Sequence, residues 1–410
     1  MKKSSWTSAP SKTFNKTSSK TPEQDSEADQ HDISNREQTE ASDLAVSSNK
    51  DQQPSLSVIE GTADQQPIDN FTQKRSLLVV VGYAVLIVGI IAILLLNIGV
   101  GSANVSVSEI VKILFQQDGV DETKVIIVMR IRLPRALAAL IGGSALAIAG
   151  LLLQTFFSNP IVEPYVLGVS SGATLFVGLV FLGGFTFGMS RVTPMMMFVG
   201  AFVGSMVVML IVLIAARKVR SIITLLIVGL MVGYLCSAAT SILTAFADRE
   251  RLQLFSMWSM GSFAGSTWQQ IRILFAIIVP MLVFAFLLAK PLNSLAMGDK
   301  YAASMGVNVK VTRYLLILIS SVVTAATTAF AGPVSFIGLA VPHICRVSFR
   351  TYNNRVLIPA TAMGGALMAS ICDFVARNLI SPLELPLASV TSIIGAPIVV
   401  YLLTRRDSND

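Results

Sequence analysis

LLVVVGYAVLIVGIIAILLL, residues Leu77–Leu96, is a run of twenty residues with no charge and no proline, entered from Lys74-Arg75. A helix rises about 1.5 Å per residue, so about 20 apolar residues cross the roughly 30 Å hydrocarbon core of a bilayer. One such run makes an anchored protein; repetition makes a polytopic one. Runs of the same kind follow almost to the C-terminus. The spans expected are Leu77–Leu96, Leu133–Gln154, Tyr165–Gly183, Met195–Ala216, Ile222–Ala247, Ile271–Ala289, Tyr314–Ala331, a shorter Val334–Arg346, Val356–Asn378 and Leu387–Leu403. The fold expected is therefore all-α, a polytopic membrane protein of about ten transmembrane helices, occupying residues 76–406.

Composition agrees. Of 410 residues, 53% are hydrophobic and 13% charged, about half the charge of a soluble chain. The net charge of +7 hides two populations. Residues 1–75 hold nine Lys/Arg and twelve Asp/Glu, and they are poor in large apolar side chains. Such a stretch cannot bury enough surface to offset its ordering entropy; it reads as a disordered cytosolic tail without a secretory signal. The remainder holds twenty-two Lys/Arg against twelve Asp/Glu, spread over many loops. That distribution suits lysine and arginine holding inner loops, not a nucleic-acid surface. With the N-terminus inside, fourteen basic residues fall in inner segments and ten in outer ones, so both termini are expected in the cytosol. Between the first two spans the chain reads as a polar connection containing Asp118, Asp121, Glu122 and Lys124, and the stretch around Trp258 and Trp268 suits the membrane interface.

Several chemistries have no residues to carry them. No glycine is followed by lysine, so no phosphate-binding Walker loop exists. His343 is the sole histidine after the tail, and Cys236, Cys345 and Cys372 form no metal-ligand spacing. The cysteines read as small buried hydrophobes. Asp373 is the only carboxylate well inside a span, and its simplest partner is Arg377, four residues on. Ion-coupled carriers tend to place acidic groups midway through the bilayer, so proton coupling is disfavoured. The chain supplies a passage without an energy source, and no catalytic residue, metal site or cofactor is expected on it.

Five stretches in order resemble the FecCD/BtuC-type permeases of importers for iron–siderophore, haem and vitamin B12. They are Arg132-Leu133-Pro134-Arg135 with the small-residue helix leading to Gln154; Asn159-Pro160-Ile161-Val162-Glu163-Pro164-Tyr165 through Gly172-Ala173; Gly298-Asp299 through Met305-Gly306; Ala331-Gly332-Pro333-Val334-Ser335-Phe336 through Pro342-His343-Ile344-Cys345-Arg346; and Asp373 through Arg377 with Glu384-Leu385-Pro386 and Gly395-Ala396-Pro397. The resemblance implies a type II ABC importer permease in a bacterial cytoplasmic membrane. It implies a second permease subunit, identical or homologous, two cytosolic ATPase subunits and an extracytoplasmic binding protein. The leading cargo is an iron chelate; haem or cobalamin are the alternatives within the family, and a lone ion-coupled carrier or a scaffold without transport lies outside it.

The resemblance also assigns residues. Segment 294–308 resembles the family's coupling helices, with Leu295, Met297, Gly298, Asp299, Ala302, Ala303, Met305 and Gly306 as the contacts to the ATPase. Small residues there allow close approach and the methionines offer apolar contact. Arg132, Arg135 and Arg377 match arginines that dock the binding protein, the plain alternative being headgroup anchoring. Ser221, Ile222, Ile223 and Thr224 fall near the cytosolic gate. His343 reads as a hydrogen-bonded structural residue and Asn159-Pro160 as a required turn.

Overall fold

The computed structural model describes residues 66–101, 105–115, 117, 119–183, 193–219, 221–380 and 383–407. The tail expected over 1–75 lies outside the described residues up to 65; from Gln66 the chain is already helical. The elements in order are α1 (Gln66–Gly99), α2 (Val107–Leu114), α3 (Glu122–Ile127), α4 (Leu133–Phe157), α5 (Val169–Gly183), α6 (Pro194–Lys218), α7 (Ile222–Ala245), α8 (Arg249–Ser259), α9 (Trp268–Leu287), α10 (Ala289–Leu295), α11 (Asp299–Ser304), α12 (Val309–Ala331), α13 (Ile337–Phe349), α14 (Asn354–Asn378) and α15 (Leu387–Asp407). Among the described residues, seven helices are long and apolar enough to cross a membrane, and three shorter apolar helices lie at Val169–Phe181, Ile337–Phe349 and Leu387–Tyr401. These ten are the ten expected spans, in the expected order.

Two spans start later than their apolar runs. Pro164 and Gly168, the latter at φ 75°, hold residues Pro164–Leu167 in a single 3-10 turn. The third span therefore begins at Val169 and not at Tyr165. The eighth begins at Ile337 and not at Val334, because Gly332 (φ 70°) and Phe336 (φ 66°) turn the chain first. The second span is longer than its apolar run. α3 leads into α4 through a π-helical stretch, Val128–Arg132. The connection before it is not uniformly polar: it contains α2, closed by a capping box in which Ser106 and Glu109 bond each other's backbone.

The centre of the bundle is α4, which packs along α14, α12 and α13. Its lining is mostly Ala, Gly and Leu, and small residues are what let helices approach closely in lipid. Gly143 sits against the backbone of Gly365, and Gly150 against the carbonyl of Gly338. A Cβ at either position would overlap backbone, so both contacts require glycine. By contrast α1 is the periphery: only 6% of its apolar window is buried, against 78% for the α3–α4 window. Alternation of the spans brings residues 158–160, 219, 221, 288–308 and 350–353 to one end. α2 and residues 246–267, 379–380 and 383–386 fall at the other.

Candidate functional site

At the first end, α10 and α11 form a short helical elbow. Leu295 and Ala302 point inward and are buried, while Ala303 is exposed. Met297 and Met305 stand 67% and 62% exposed. Gly298 and Gly306 make the turns on either side of α11 at φ 106° and 78°, with open space around both. Asp299 begins α11, and the Arg313 guanidinium donates to its Oδ1 at 2.8 Å. The expected contact set thus divides. Leu295 and Ala302 hold the elbow to the bundle; Met297, Ala303 and Met305 are presented outward. Tyr301, which the sequence reading passed over, is exposed beside them.

The expected gate loop lies against this elbow. Ser221 caps α7 by accepting from the Thr224 amide, Ile222 is half-buried, and Ile223 and Thr224 are exposed. Ser221 and Ile222 line a cavity of about 770 Å³ with Arg217, Asp299, Lys300, Ala303, Lys310 and Arg313. The end of α6, the start of α7 and the elbow therefore share one space.

At the opposite end the three arginines come together, and all are engaged within the chain. Arg135 is 6% exposed and Asp373 1%. Arg135 donates through Nε to both Asp373 oxygens at 3.1 and 3.0 Å, through Nη2 to Oδ1 at 3.0 Å, and through Nη1 to Glu384 Oε1 at 2.7 Å. Arg132 donates to the carbonyls of Ile98 and Gly99, and Arg377 to those of Asn97 and Val100. Carbonyls in the last turn of a helix lack intrahelical donors, and a guanidinium supplies them. The pairing of Asp373 with Arg377, expected from their spacing, gives way to Asp373 with Arg135. The α14 carboxylate faces α4, and Arg377 reaches past it to α1.

Between the ends, two chain breaks meet. The Tyr165 hydroxyl accepts from the Val334 amide at 2.9 Å, and Glu163 Oε2 accepts from the Phe336 amide at 3.4 Å. Gln154 donates to the carbonyls of Gly338 and Leu339 and accepts from Arg346 at 2.8 Å. Asn159 closes its own turn by accepting from the Ile161 amide, as a required turn should. Gln154 and Glu163 lie in sequence motifs that announce no role for either side chain. Both satisfy backbone or charge at the start and end of α13.

A bundle of ten spans, with a helical elbow exposed at one end and interrupted helices in its middle, has the architecture of a transport permease. The chain belongs to the FecCD transport family, whose sequence pattern matches residues 85–405. It is 35% identical over 326 residues to the hemin transport system permease protein HmuU of Yersinia pestis, covering 78% of this chain and 96% of that one. It is 36% identical over 278 residues to the vitamin B12 import system permease protein BtuC of Salmonella typhi, covering 68% and 83%. A solved structure described as an inward-facing metal-chelate type ABC transporter superposes with a TM-score of 0.71 at 28% identity, covering 79% of this chain and 99% of that one. The fold is that of a type II ABC importer permease.

Proposed function

We propose that this permease imports an iron chelate, driven by ATP that separate cytosolic subunits hydrolyse. The observation that carries the reading is the elbow. It exposes Met297, Tyr301 and Met305, three large apolar or aromatic side chains, on a short helix fixed to the bundle by Leu295 and Ala302. An anchored helix with an apolar tip fits a cleft on a partner. With that end in the cytosol, as the lysine and arginine distribution favours, the partner is the ATPase. The shared cavity with Ser221 and Ile222 then makes residues 221–224 the gate that the elbow moves.

On the outer face, the proposed docking of the extracytoplasmic binding protein by Arg132, Arg135 and Arg377 rests on Arg377, the one of the three that is not buried. Arg377 engages two carbonyl oxygens, which orient its guanidinium and leave its charge in place. Rim charges of this kind steer encounter and fix register. A second permease subunit, identical or homologous, completes the passage. The mixed exposed face of α7, where Tyr234, Ser237 and Ser241 stand beside Ile227 and Met231, suits a partner or a path better than lipid. Haem and cobalamin remain the alternative cargoes, being those named for the two relatives.

Uptake of labelled ferric siderophore, haem and cobalamin by cells with and without the gene tests the cargo. Loss of ferric siderophore uptake alone is expected. Loss of haem or cobalamin uptake alone would replace the cargo, and loss of none would remove the import reading.

A further inference from the structure

The connection between α1 and α4 is not explained by transport. α2 presents three faces. Ile110 and Ile113 are buried and pack with Ile98, Val105, Val128 and Leu133. Ser108, Glu109 and Lys112 form a polar arc, in which Glu109 is held by Ser106 and by Lys124 at 2.7 Å. The remaining arc is apolar and bare: Val107, Val111, Leu114 and the next residue, Phe115, are 58%, 44%, 44% and 74% exposed. At 3.6 residues per turn these four fall within about 100° of one another.

Beside this arc runs a groove of about 710 Å³, walled by Ala92, Leu95 and Leu96 of α1 and by Val107 and Ile110 of α2. Its polar lining groups, Ser106 and Glu109, are already committed to the capping box and the lysine pair. A polar occupant would find no partner there. The groove is continuous with the outward face of α1, where Val88, Ile91 and Leu96 are exposed on the least buried span. Trp268 belongs to the same end, its Nε1 donating to the Met129 carbonyl just before α4, and tryptophan marks the headgroup level.

We propose that α2 is an interfacial helix: its bare arc lies among phospholipid acyl chains of the outer leaflet, and one such chain fills the groove between α1 and α2. An amphipathic helix with a charged face toward water and an apolar face toward the membrane adopts this position. The polar arc, with Lys112, then faces headgroups and water. The inference rests on α1 being a membrane span and is independent of the cargo.

The test places nitroxides at Val111→Cys, on the arc, and Val107→Cys, on the groove, in the complete importer in lipid nanodiscs, with Cys236→Ser to remove the half-buried native thiol. Leu114→Cys serves as a second arc variant if Val111→Cys perturbs assembly. Accessibility to oxygen, which partitions into lipid, is compared with accessibility to a water-soluble nickel chelate, with Glu122→Cys as the water-exposed control. An oxygen-to-nickel ratio clearly above the control at both positions is expected, with or without the binding protein. A ratio equal to the control would overturn the proposal. So would shielding from both reagents, whether it appears only when the binding protein is added, assigning the face to that protein, or already in its absence, assigning it to another chain.

Discussion

Replacing Asp373 by Leu should cost more stability than replacing Asp373 and Arg135 together. Arg135 and Asp373 are both nearly inaccessible, and Asp373 receives three hydrogen bonds of 3.0–3.1 Å from one guanidinium. Removing one partner of such a pair leaves a buried charge and costs roughly 3–5 kcal/mol. Glu384 mitigates the loss only in part. Its carboxylate bonds Arg135 at 2.7 Å, but its side chain is 42% exposed and screened by water. The double change Arg135→Met with Asp373→Leu removes both charges and keeps apolar volume. Its cost is expected within about 1 kcal/mol of wild type, since apolar replacement of a buried pair is often neutral. The assay is thermal or denaturant unfolding of the purified complex in nanodiscs, run as a double-mutant cycle, with affinity for the binding protein measured on each variant. A strongly negative interaction between the two sites, with the double variant recovering the loss at Asp373→Leu, is expected. Single changes each below about 1 kcal/mol and additive would refute the buried pair, because distant or independent sites add. Arg135 would then be free to serve the docking surface alone.

Gly150→Ala places a methyl group against the Gly338 carbonyl; overpacking of this kind costs about 1–3 kcal/mol, and a lowered thermal midpoint of the purified complex checks it. Asp299→Ala removes a partly exposed ion pair with Arg313 and should change stability by less than about 1 kcal/mol, while Met297→Ala with Met305→Ala should lower ATPase binding in a pull-down and abolish transport-coupled hydrolysis without unfolding. The Lys124 ammonium, with help from Ser106, holds the Glu109 carboxyl down at about 2. A depressed carboxyl stabilises the folded state above its ordinary value and loses that contribution as pH falls toward 2. The midpoint difference between wild type and Glu109→Gln should therefore be constant near neutrality and vanish with acidification through that window.

The ten spans were readable because each carries its own apolar run, and a run long enough to cross a bilayer admits few other fates. The ends were less readable wherever a backbone turn decides them. Tyr165 and Val334 belong to apolar stretches, yet Pro164, Gly168, Gly332 and Phe336 bend the chain before the helix can begin. α2 was missed for a different reason. Eight residues are too few to declare a period, and its buried face becomes apolar surface only when α1 and α4 are beside it. The partner of Asp373 lies 238 residues away on another helix, and no local spacing can announce it. In the elbow, Leu295 and Met305 have the same apolar character, and only the packing of α10 distinguishes the anchor from the exposed tip.

The interior breaks deserve the same physical question as any backbone inside a bilayer: where its hydrogen bonds go. Lipid offers no donors or acceptors, so non-helical backbone at that depth must be satisfied by protein. Here side chains of the first break satisfy the backbone of the second. Pro164 packs on Gly338, Tyr165 and Glu163 take the amides of Val334 and Phe336, and Gln154 donates to the first carbonyls of α13. The sequence carries a faint echo between its halves, Ile148-Ala149-Gly150 before Asn159-Pro160 and Phe330-Ala331-Gly332 before Pro342-His343, which does not announce this pairing. Because side chains at and before the first break hold the backbone of the second, the two cannot separate without stranding the amides of Val334 and Phe336 and the carbonyls of Gly338 and Leu339. Any rearrangement that opens the passage must therefore carry the start of α13 and the Glu163–Tyr165 turn together as one body. Cross-linking that unit internally should leave transport intact, whereas cross-linking it to α15 through Ser335 and Ser392, 3.3 Å apart in this state, should arrest it. Transport unaffected by a Ser335→Cys, Ser392→Cys disulfide would show that the moving boundary lies elsewhere.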